Sequence, residues 1–440
     1  MAGYRGAAMV RTPWGDADQL RERKLPPGRG TPPEQVARSQ RERLYGAMVA
    51  VVSEKGYEAT RVGDLLELSG VSRKAFYEHF DDKRECFLAA VQALVEAGTA
   101  IMLHGYNTPG SWEERVLAGL EAFTRLLAAQ PAAARMCFVE IYAAGEPAIK
   151  LVERTFADFE AVLSSALEET PERAGTPPEI VRALIGGLRK VIHTRLHRGQ
   201  EAALEGIAPA LTQWAMSYYP PPQPLRQGRR PKRTADGGVR ALAEHDQAER
   251  IIRAMAEVVA ERGYTETTLD EIVARASCSL STFYSHFEDK EEAMLATLDR
   301  GGALLLATVL PAFRRGGEWP QAVRTALGAM LAYAIEEPAF ARLGAVDVYA
   351  AGRRALEQRD QVMEGMGVLL AHGYEVNPEA SPIAAEAIGG AIYALTYDQV
   401  LAGGPESLPE IAPLATYIAL TPFLGPEQAC AVANGDGRRR

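Results

Sequence analysis

The chain repeats itself once at a fixed distance. Glu54-Lys55-Gly56-Tyr57, Thr60 and Phe76-Tyr77-Glu78-His79-Phe80-Asp81-Asp82-Lys83 form the first instance. Glu261-Arg262-Gly263-Tyr264, Thr267 and Phe283-Tyr284-Ser285-His286-Phe287-Glu288-Asp289-Lys290 form the second, each residue 207 positions on. The register carries through Trp112 and Trp319, Leu120 and Leu327. It also carries Pro131, Arg135, Tyr142 and Gly145 onto Pro338, Arg342, Tyr349 and Gly352. It slips to 203 where Ile185-Gly186-Gly187 pairs with Ile388-Gly389-Gly390. A repeat of about 200 residues is far longer than a solenoid unit, so each copy has to build its own core.

Within each copy the apolar residues follow helical spacing. Leu44, Met48, Val51 and Val52 do so in the first, and Ile251, Met255, Val258 and Val259 in the second. Gly56 and Gly263 follow those runs as expected C-terminal caps with positive φ. Thr268-x-x-Glu271 spells a capping box; the first copy has Arg61 in that place, so Thr60 is the expected cap there. No strand alternation stands out, and the fold class is all-α. With 47% hydrophobic and 24% charged residues, a disordered or fibrous chain is excluded.

The expected organisation is a disordered arm over 1–35, then 36–88 and 89–219 for the first copy. A Pro-rich basic linker spans 220–243. The second copy follows as 244–295 and 296–428, with a flexible tail over 429–440. Cys86, Cys137, Cys278 and Cys430 are scattered, which argues against a disulfide framework or a zinc module. Arg5, Arg11 and Asp16 interrupt any leader-like apolar run, and no run reaches the roughly 18 apolar residues of a membrane span. The expectation is a cytoplasmic protein without metal or cofactor.

Near each start lie two short helices joined by a tight turn. Val62, Leu65, Leu66 and Leu68 face inward, Ser69-Gly70-Val71-Ser72 turns, and a second helix runs from Arg73 to about His79. The second copy reads Leu269 to Ala276, Ser277-Cys278-Ser279, then Leu280 to His286. This is the helix-turn-helix pattern, whose second helix fits the roughly 12 Å major groove.

The run Gly-Tyr-x-x-Thr followed by Val71-Ser72-Arg73-Lys74-Ala75-Phe76-Tyr77-Glu78-His79-Phe80-Asp81-Asp82-Lys83 resembles the DNA-binding signature of TetR/AcrR-family transcriptional regulators, and both copies match it. The resemblance implies two TetR-like units, each a three-helix DNA-binding domain and a helical ligand-binding and dimerisation domain. It places Arg73, Lys74 and Ala75 on base edges. Tyr77 and His79 would meet phosphate or thymine methyls, and Lys83 a phosphate, with Thr60 helping. In the second copy the same places hold Leu280, Ser281, Thr282, Tyr284, His286, Lys290 and Thr267. Arg suits guanine O6/N7, Lys is a point charge for phosphate, and Ser/Thr are permissive. Phe76, Phe80, Phe283 and Phe287 are spaced to pack the helix onto its core.

Net charge is −9, so any nucleic-acid site is local. Residues 36–84 carry nine Lys/Arg against eight Asp/Glu; residues 244–290 carry five against ten. The linker segment 226–243 holds Arg226, Arg229, Arg230, Lys232, Arg233 and Arg240 against Asp236 alone. The expectation is that the first copy reads DNA strongly. The second, short of phosphate-neutralising charge, leans on the linker as a sequence-neutral arm.

For the larger halves the resemblance implies an apolar pocket and pairing through the last two helices. These are expected at 177–197 and 202–218, then 382–401 and 406–423, with Gly186-Gly187 and Gly389-Gly390 allowing close approach. Pocket candidates are Met102, Phe123, Met136, Phe138, Tyr142, Phe156 and Phe159 in the first copy. In the second they are Met330, Tyr333, Phe340, Tyr349, Met363, Met366, Tyr393 and Tyr397. Any one of these taken alone is more often core. No nucleophile or acid–base pairing points to an enzyme. The expected protein is a ligand-responsive regulator, a repressor with two unlike helix-turn-helix units on one operator. Its partners are double-stranded DNA and an apolar or amphipathic effector, with no membrane. The roughly 25 residues from Tyr219 to Glu244 can stretch to about 80 Å, which permits an intramolecular pseudo-dimer; a homodimer is the other arrangement. The alternative is a sensor whose DNA-binding units have decayed.

Overall fold

A computed structural model describes residues 10–25, 31–229 and 246–436. The chain divides into two compact units. One comprises Met1–Ala157 with Ile192–Thr212, the other Asp158–Val191 with Gln213–Arg440. The division therefore does not follow the repeat, because part of the first copy belongs to the second unit.

The first unit opens on a two-residue hairpin, β1 (Arg11–Thr12) antiparallel to β2 (Gly15–Asp16), followed by a 3-10 turn over Ala17–Gln19. Helix α1 (Pro33–Ala59) buries Leu44, Met48, Val51 and Val52 and breaks at Gly56, where φ is +78°. The hairpin packs on α1: Leu20 is fully buried, and the Trp14 and Tyr45 rings lie 5.2 Å apart. A Cβ at Gly46 would stand 2.8 Å from Leu20 Cδ2, so α1 is cut back to glycine where the hairpin sits. The second copy has Arg253 in that place. The expected disorder of 1–35 thus fails for residues 10–25. Two apolar anchors, Trp14 and Leu20, hold the segment without the periodicity that marks an element. Residues 1–9 and 26–30 lie outside the described residues.

Helix α2 (Val62–Ser69) is capped by Asp64, whose carboxylate accepts the Arg61 N–H at 2.7 Å. Thr60 is not the cap; its hydroxyl turns back and donates to the Gly56 carbonyl at 2.7 Å. Gly70, with φ +63°, ends α2 and leads to α3 (Arg73–Tyr77), capped by Ser72 Oγ, which accepts the Ala75 N–H at 3.2 Å. Then follow α4 (Lys83–Tyr106), α5 (Trp112–Ala129) and α6 (Pro131–Phe138). Helices α7 (Glu146–Glu168), α8 (Pro178–His197) and α9 (Ala208–Met216) each run across the boundary between the units.

The second unit repeats the pattern with α10 (Gln247–Arg262), α11 (Leu269–Ala276), α12 (Leu280–Tyr284), α13 (Lys290–Arg315), α14 (Trp319–Glu336), α15 (Pro338–Ala345) and α16 (Arg353–Gly367). The expected capping box is present: Glu271 accepts the Thr268 N–H at 3.0 Å. Ser277 takes the turn position of Gly70 at φ +52°, a conformation that costs a side-chain-bearing residue about 1–2 kcal/mol. A short α17 (Gly373–Val376) precedes α18 (Ala384–Gly403) and α19 (Ala412–Asn434). Helices α4 and α13, one per copy, have the length and apolar character of a membrane-crossing helix. Each begins at an Asp-capped turn and packs along α5 or α14.

The expected flexible tail begins too early. Ala429, Cys430, Val432 and Ala433 are buried. Asn434 Oδ1 accepts the Arg226 N–H at 2.7 Å, and its Nδ2 donates to the Pro224 carbonyl at 3.2 Å. Gly228 N–H donates to the Glu410 carbonyl at 3.0 Å, so the first part of the linker lies along α19 and the preceding turn. The basic residues Arg230, Lys232, Arg233 and Arg240 lie outside the described residues.

Inside the second unit the first half of α8 packs closely on α18. A Cβ at Gly186 would lie 2.5 Å from Ala394 Cβ and 2.9 Å from the Gly390 carbonyl oxygen; one at Gly187 would lie 2.7 Å from the Ala387 oxygen. Arg182 grips Asp398 with two bonds, Nε to Oδ2 at 2.6 Å and Nη2 to Oδ1 at 2.8 Å. Tyr218 donates to the Ile418 carbonyl at 2.9 Å, while Tyr417 donates to the Tyr219 carbonyl at 2.8 Å. This reciprocity is what a two-fold pairing of like surfaces produces. Gly186→Ala should lower stability by about 1–3 kcal/mol through overpacking. Gly389→Ala has nothing within 4 Å of the new methyl and should be neutral or gain up to about 1 kcal/mol of helix propensity. Urea unfolding midpoints compare the two.

Candidate DNA interface and effector cavity

Short α3 is held from both ends. Ser72 caps its start, and buried Phe76 and Phe80 seat it on α1. This leaves Arg73 and Lys74 pointing outward, with the Lys74 side chain 89% exposed. Tyr77 is 49% exposed, edge-on to Phe76 at 5.3 Å. Ala75 is not on this face: it is buried against the core, because the third residue of a helix anchored by its fourth turns inward with it. In α12 the outward set is Leu280, 40% exposed, Ser281 and Tyr284, 56% exposed, while Thr282 is half-buried. The hydroxyls of Ser281 and Thr282 lie 2.8 and 2.9 Å from the Ser279 cap.

Thr60 and Thr267 do not face DNA either. Both are buried, and their hydroxyls donate to the Gly56 and Gly263 carbonyls at 2.7 and 2.8 Å. Lys83 and Lys290 hold the ends of α1 and α10. Lys83 Nζ donates to the Tyr57 carbonyl at 2.9 Å and lies 4.2 Å from that ring's centre. Lys290 donates to the Tyr264 and Thr267 carbonyls at 3.0 Å each and lies 4.4 Å from the Tyr264 ring centre. Burial lowers the pKa of both ammonium groups. Each therefore spends much of its donor capacity inside the fold, a duty the sequence reading missed.

His79 Nε2 lies 2.8 Å from Gln40 Oε1, and His286 Nε2 lies 3.5 Å from Gln247 Oε1. These pairs tether the end of each recognition helix to the start of α1 or α10. Gln40 and Gln247 stand in the same 207-residue frame, a signal the sequence held and the reading passed over. Burial, with Arg41 nearby, lowers the pKa of His79.

Ion pairing adds to the charge contrast around the two short helices. Arg275 is fastened to Glu257 and Glu261 at 3.1 and 2.8 Å, and Arg262 to Glu271 at 2.6 Å. The second copy thus spends arginines on its own carboxylates, whereas Arg73 has no ion pair among the described residues and Lys74 only a loose one to Glu78 at 3.8 Å.

The larger half of the second copy contains a cavity of about 220 Å³ lined from α13, α14, α15, α16 and α18. Met330, Tyr333, Phe340, Met363, Met366 and Tyr393 line it, as expected. Tyr349 does not line it; it is buried behind Tyr393, ring centres 6.2 Å apart, with Tyr397 on its other side at 5.7 Å. The candidates of the first copy contribute nothing to this cavity. There Met136 and Tyr142 are core, Phe123 and Phe138 pair their rings at 6.5 Å, and Phe156 is half-buried on α7.

The cavity wall also carries polar residues outside the sequence expectation: Gln358, Arg359, Thr297 and Thr396. Arg359 Nε and Nη2 donate to Asp360 Oδ1 at 2.9 and 2.6 Å, and Asp360 Oδ2 lies 3.0 Å from Lys190 Nζ. The guanidinium sits 4.6 Å from the Tyr393 ring centre and 5.2 Å from that of Tyr349. Burial alone would raise the Tyr349 pKa, yet the nearby Arg359 and Arg189 bring it below the usual phenol value. No group of three or more His, Cys, Asp or Glu among the described residues could hold a metal ion.

Each copy has a helix-turn-helix followed by further helices, and those of the second copy line an apolar cavity. The signature described as "Bacterial regulatory proteins, tetR family" matches residues 46–90 and again 251–297. The chain carries this signature twice and resembles two TetR-like units in tandem. It is 28% identical over 134 residues to an uncharacterized HTH-type transcriptional regulator YezE of Bacillus subtilis, covering 30% of this chain and 55% of that one. It is 34% identical over 106 residues to the HTH-type transcriptional activator FasR of Mycolicibacterium smegmatis, covering 24% and 48%. The chain thus spans about half the length of these curated relatives. Among solved structures, a fatty acid degradation regulator FadR from Bacillus halodurans matches 43% of this chain and 97% of its own. It does so at 16% identity and a TM-score of 0.38.

Two outcomes follow from this geometry. Arg73→Ala should weaken DNA binding by about 1–3 kcal/mol, the value of a good base contact, and Ser281→Ala by less than about 0.5 kcal/mol. Equal losses in a retardation assay would overturn the unequal division between the copies. Buried Asp347, with Arg342 at 3.5 Å only partly offsetting its desolvation, has its pKa pushed up to about 6. Its folded pKa exceeds the unfolded value near 3.9, so its contribution is full below that value and fades as pH rises through 6. Wild-type stability should therefore lose ground between pH 5 and 8 relative to Asp347→Asn, measured by urea unfolding at both pH values.

Proposed function

We propose that this chain is a cytoplasmic DNA-binding transcriptional regulator, a repressor released by an apolar or amphipathic effector. The observation that carries the reading is the pair of presented recognition helices. Arg73, Lys74 and Tyr77 stand outward from a rigidly capped α3, and α12 repeats the backbone with an uncharged face. Arg73 suits a guanine edge in the major groove, Lys74 and Tyr77 the flanking backbone. The second helix, with Leu280 and Ser281, makes apolar and permissive contacts that discriminate weakly. One chain would then occupy two unlike half-sites. The reciprocal Tyr218 and Tyr417 bonds support an intramolecular pseudo-dimer.

The cavity supplies the second half of the proposal. An occupant would favour whichever arrangement of the domain encloses it best, and only a difference in fit between DNA-bound and free states can move the equilibrium. A sensor-only role for the second helix-turn-helix is the second reading, favoured by the ion-paired Arg275 and Arg262.

Footprinting on DNA flanking the gene, with the mass of the complex measured alongside, tests the proposal. The expected result is one chain on two dissimilar half-sites, with transcription from that promoter rising when the gene is deleted. Two chains on a palindrome would replace the pseudo-dimer by a homodimer. No protected site in a genome-wide selection would reject DNA binding altogether.

A further inference from the structure

The cavity of the second copy is apolar over nearly all its wall, yet its polar residues are not fully spent. Arg359 Nη1 is buried without a hydrogen-bond partner among the described residues, and so is Gln358 Oε1. Leaving a buried guanidinium N–H unpaired carries its full desolvation cost, so such groups are normally satisfied by something. The Asp360 carboxylate lies between Arg359 and Lys190. Both Arg359 Nε and Nη2 are committed to a single oxygen of that carboxylate, which leaves Nη1 as the uncommitted donor.

We propose that this cavity binds an amphipathic carboxylic acid, its chain among Leu305, Met330, Met363 and Met366 and its carboxylate on Arg359 Nη1, and that only the second copy has this site. The inference rests on the ligand-responsive reading above and narrows its effector to one chemistry. A carboxylate entering an apolar cavity needs a fixed cation and a charge-assisted hydrogen bond to offset desolvation, and Arg359 offers both. The Tyr393 and Tyr349 rings flank the guanidinium and fix its plane.

The restriction to one copy comes from the repeat. Helices α7 and α16 begin at Glu146 and Arg353, still 207 residues apart. Seven residues into each helix the first copy has Val152 where the second has Arg359, and Leu151 where the second has Gln358. The duplication has kept the helix and changed the one side chain that would receive an acid.

The test is a calorimetric titration of the full chain with decanoate, methyl decanoate and 1-decanol. Decanoate should bind at one site per chain and at least tenfold more tightly than either neutral analogue. Arg359→Gln should bring decanoate down to the affinity of the neutral pair while changing theirs less than threefold. Arg359→Lys, which keeps the charge and guards against a variant that fails to fold, should retain part of the preference for the acid. Met363→Trp, which fills the cavity, should abolish binding of all three probes. Equal affinity for acid and alcohol, a preference that survives Arg359→Gln, two equivalent sites per chain, or binding of none of the probes would each overturn the proposal. Operator binding without any probe is measured separately. Its loss would reject the regulator reading and leave the acid site standing.

Discussion

The tight seam between α8 and α18 is the constraint on which the rest depends. Two helices that approach at Gly186 and Gly390 leave no room for a methyl, so their backbones set the spacing directly. Arg182, which is bonded to Glu160 as well as to both oxygens of Asp398, fixes the rotation of the pair. Trp214, fully buried beside Gly187, fills the gap that the small residues leave. A seam built this way is intolerant of intermediate positions, as close-packed interfaces are. A change in the cavity wall next to α18 therefore has to be absorbed by side chains or passed on through the helix.

The two copies show how a duplicated backbone can diverge in chemistry while keeping its mechanics. Both recognition helices retain a Ser cap, an edge-on Phe–Tyr pair, a His–Gln tether and a lysine over a tyrosine ring. What changed is the cargo on the outer face and the state of nearby arginines. In the second copy these are locked to glutamates on the same domain. The same division holds in the regulatory halves, where Val152 and Arg359 occupy one position of one helix.

Most of this architecture was legible because a repeat shows its own alignment. Gly56 and Gly263, the Thr268 box, and the glycine pairs all marked features that the structure has. Four of the six cavity-lining aromatic and sulfur residues at the second copy's core belong to the same spaced pattern that ordinary cores show, so only enclosure distinguishes them. Motif position alone places Thr60, Thr267 and Ala75 on DNA, and position does not tell whether a side chain is spent on a carbonyl or turned inward. The hairpin around Leu20 and the Asn434–Arg226 contact depend on single long-range partners, which leave no period in the sequence. Arg359 was invisible for a different reason. Its significance lies in one nitrogen left over after Asp360 has taken the other two, and that is a matter of geometry alone.

Putting both faces of the α8–α18 seam on one polypeptide also changes what dilution does. Tethered faces meet at an effective concentration of about millimolar, independent of how many copies the cell makes. A regulator assembled from separate subunits weakens steeply as its concentration falls, and a defective subunit can poison a sound one by pairing with it. A chain that carries its own partner escapes both effects: the fraction of chains with the seam formed does not depend on how much of the chain is made.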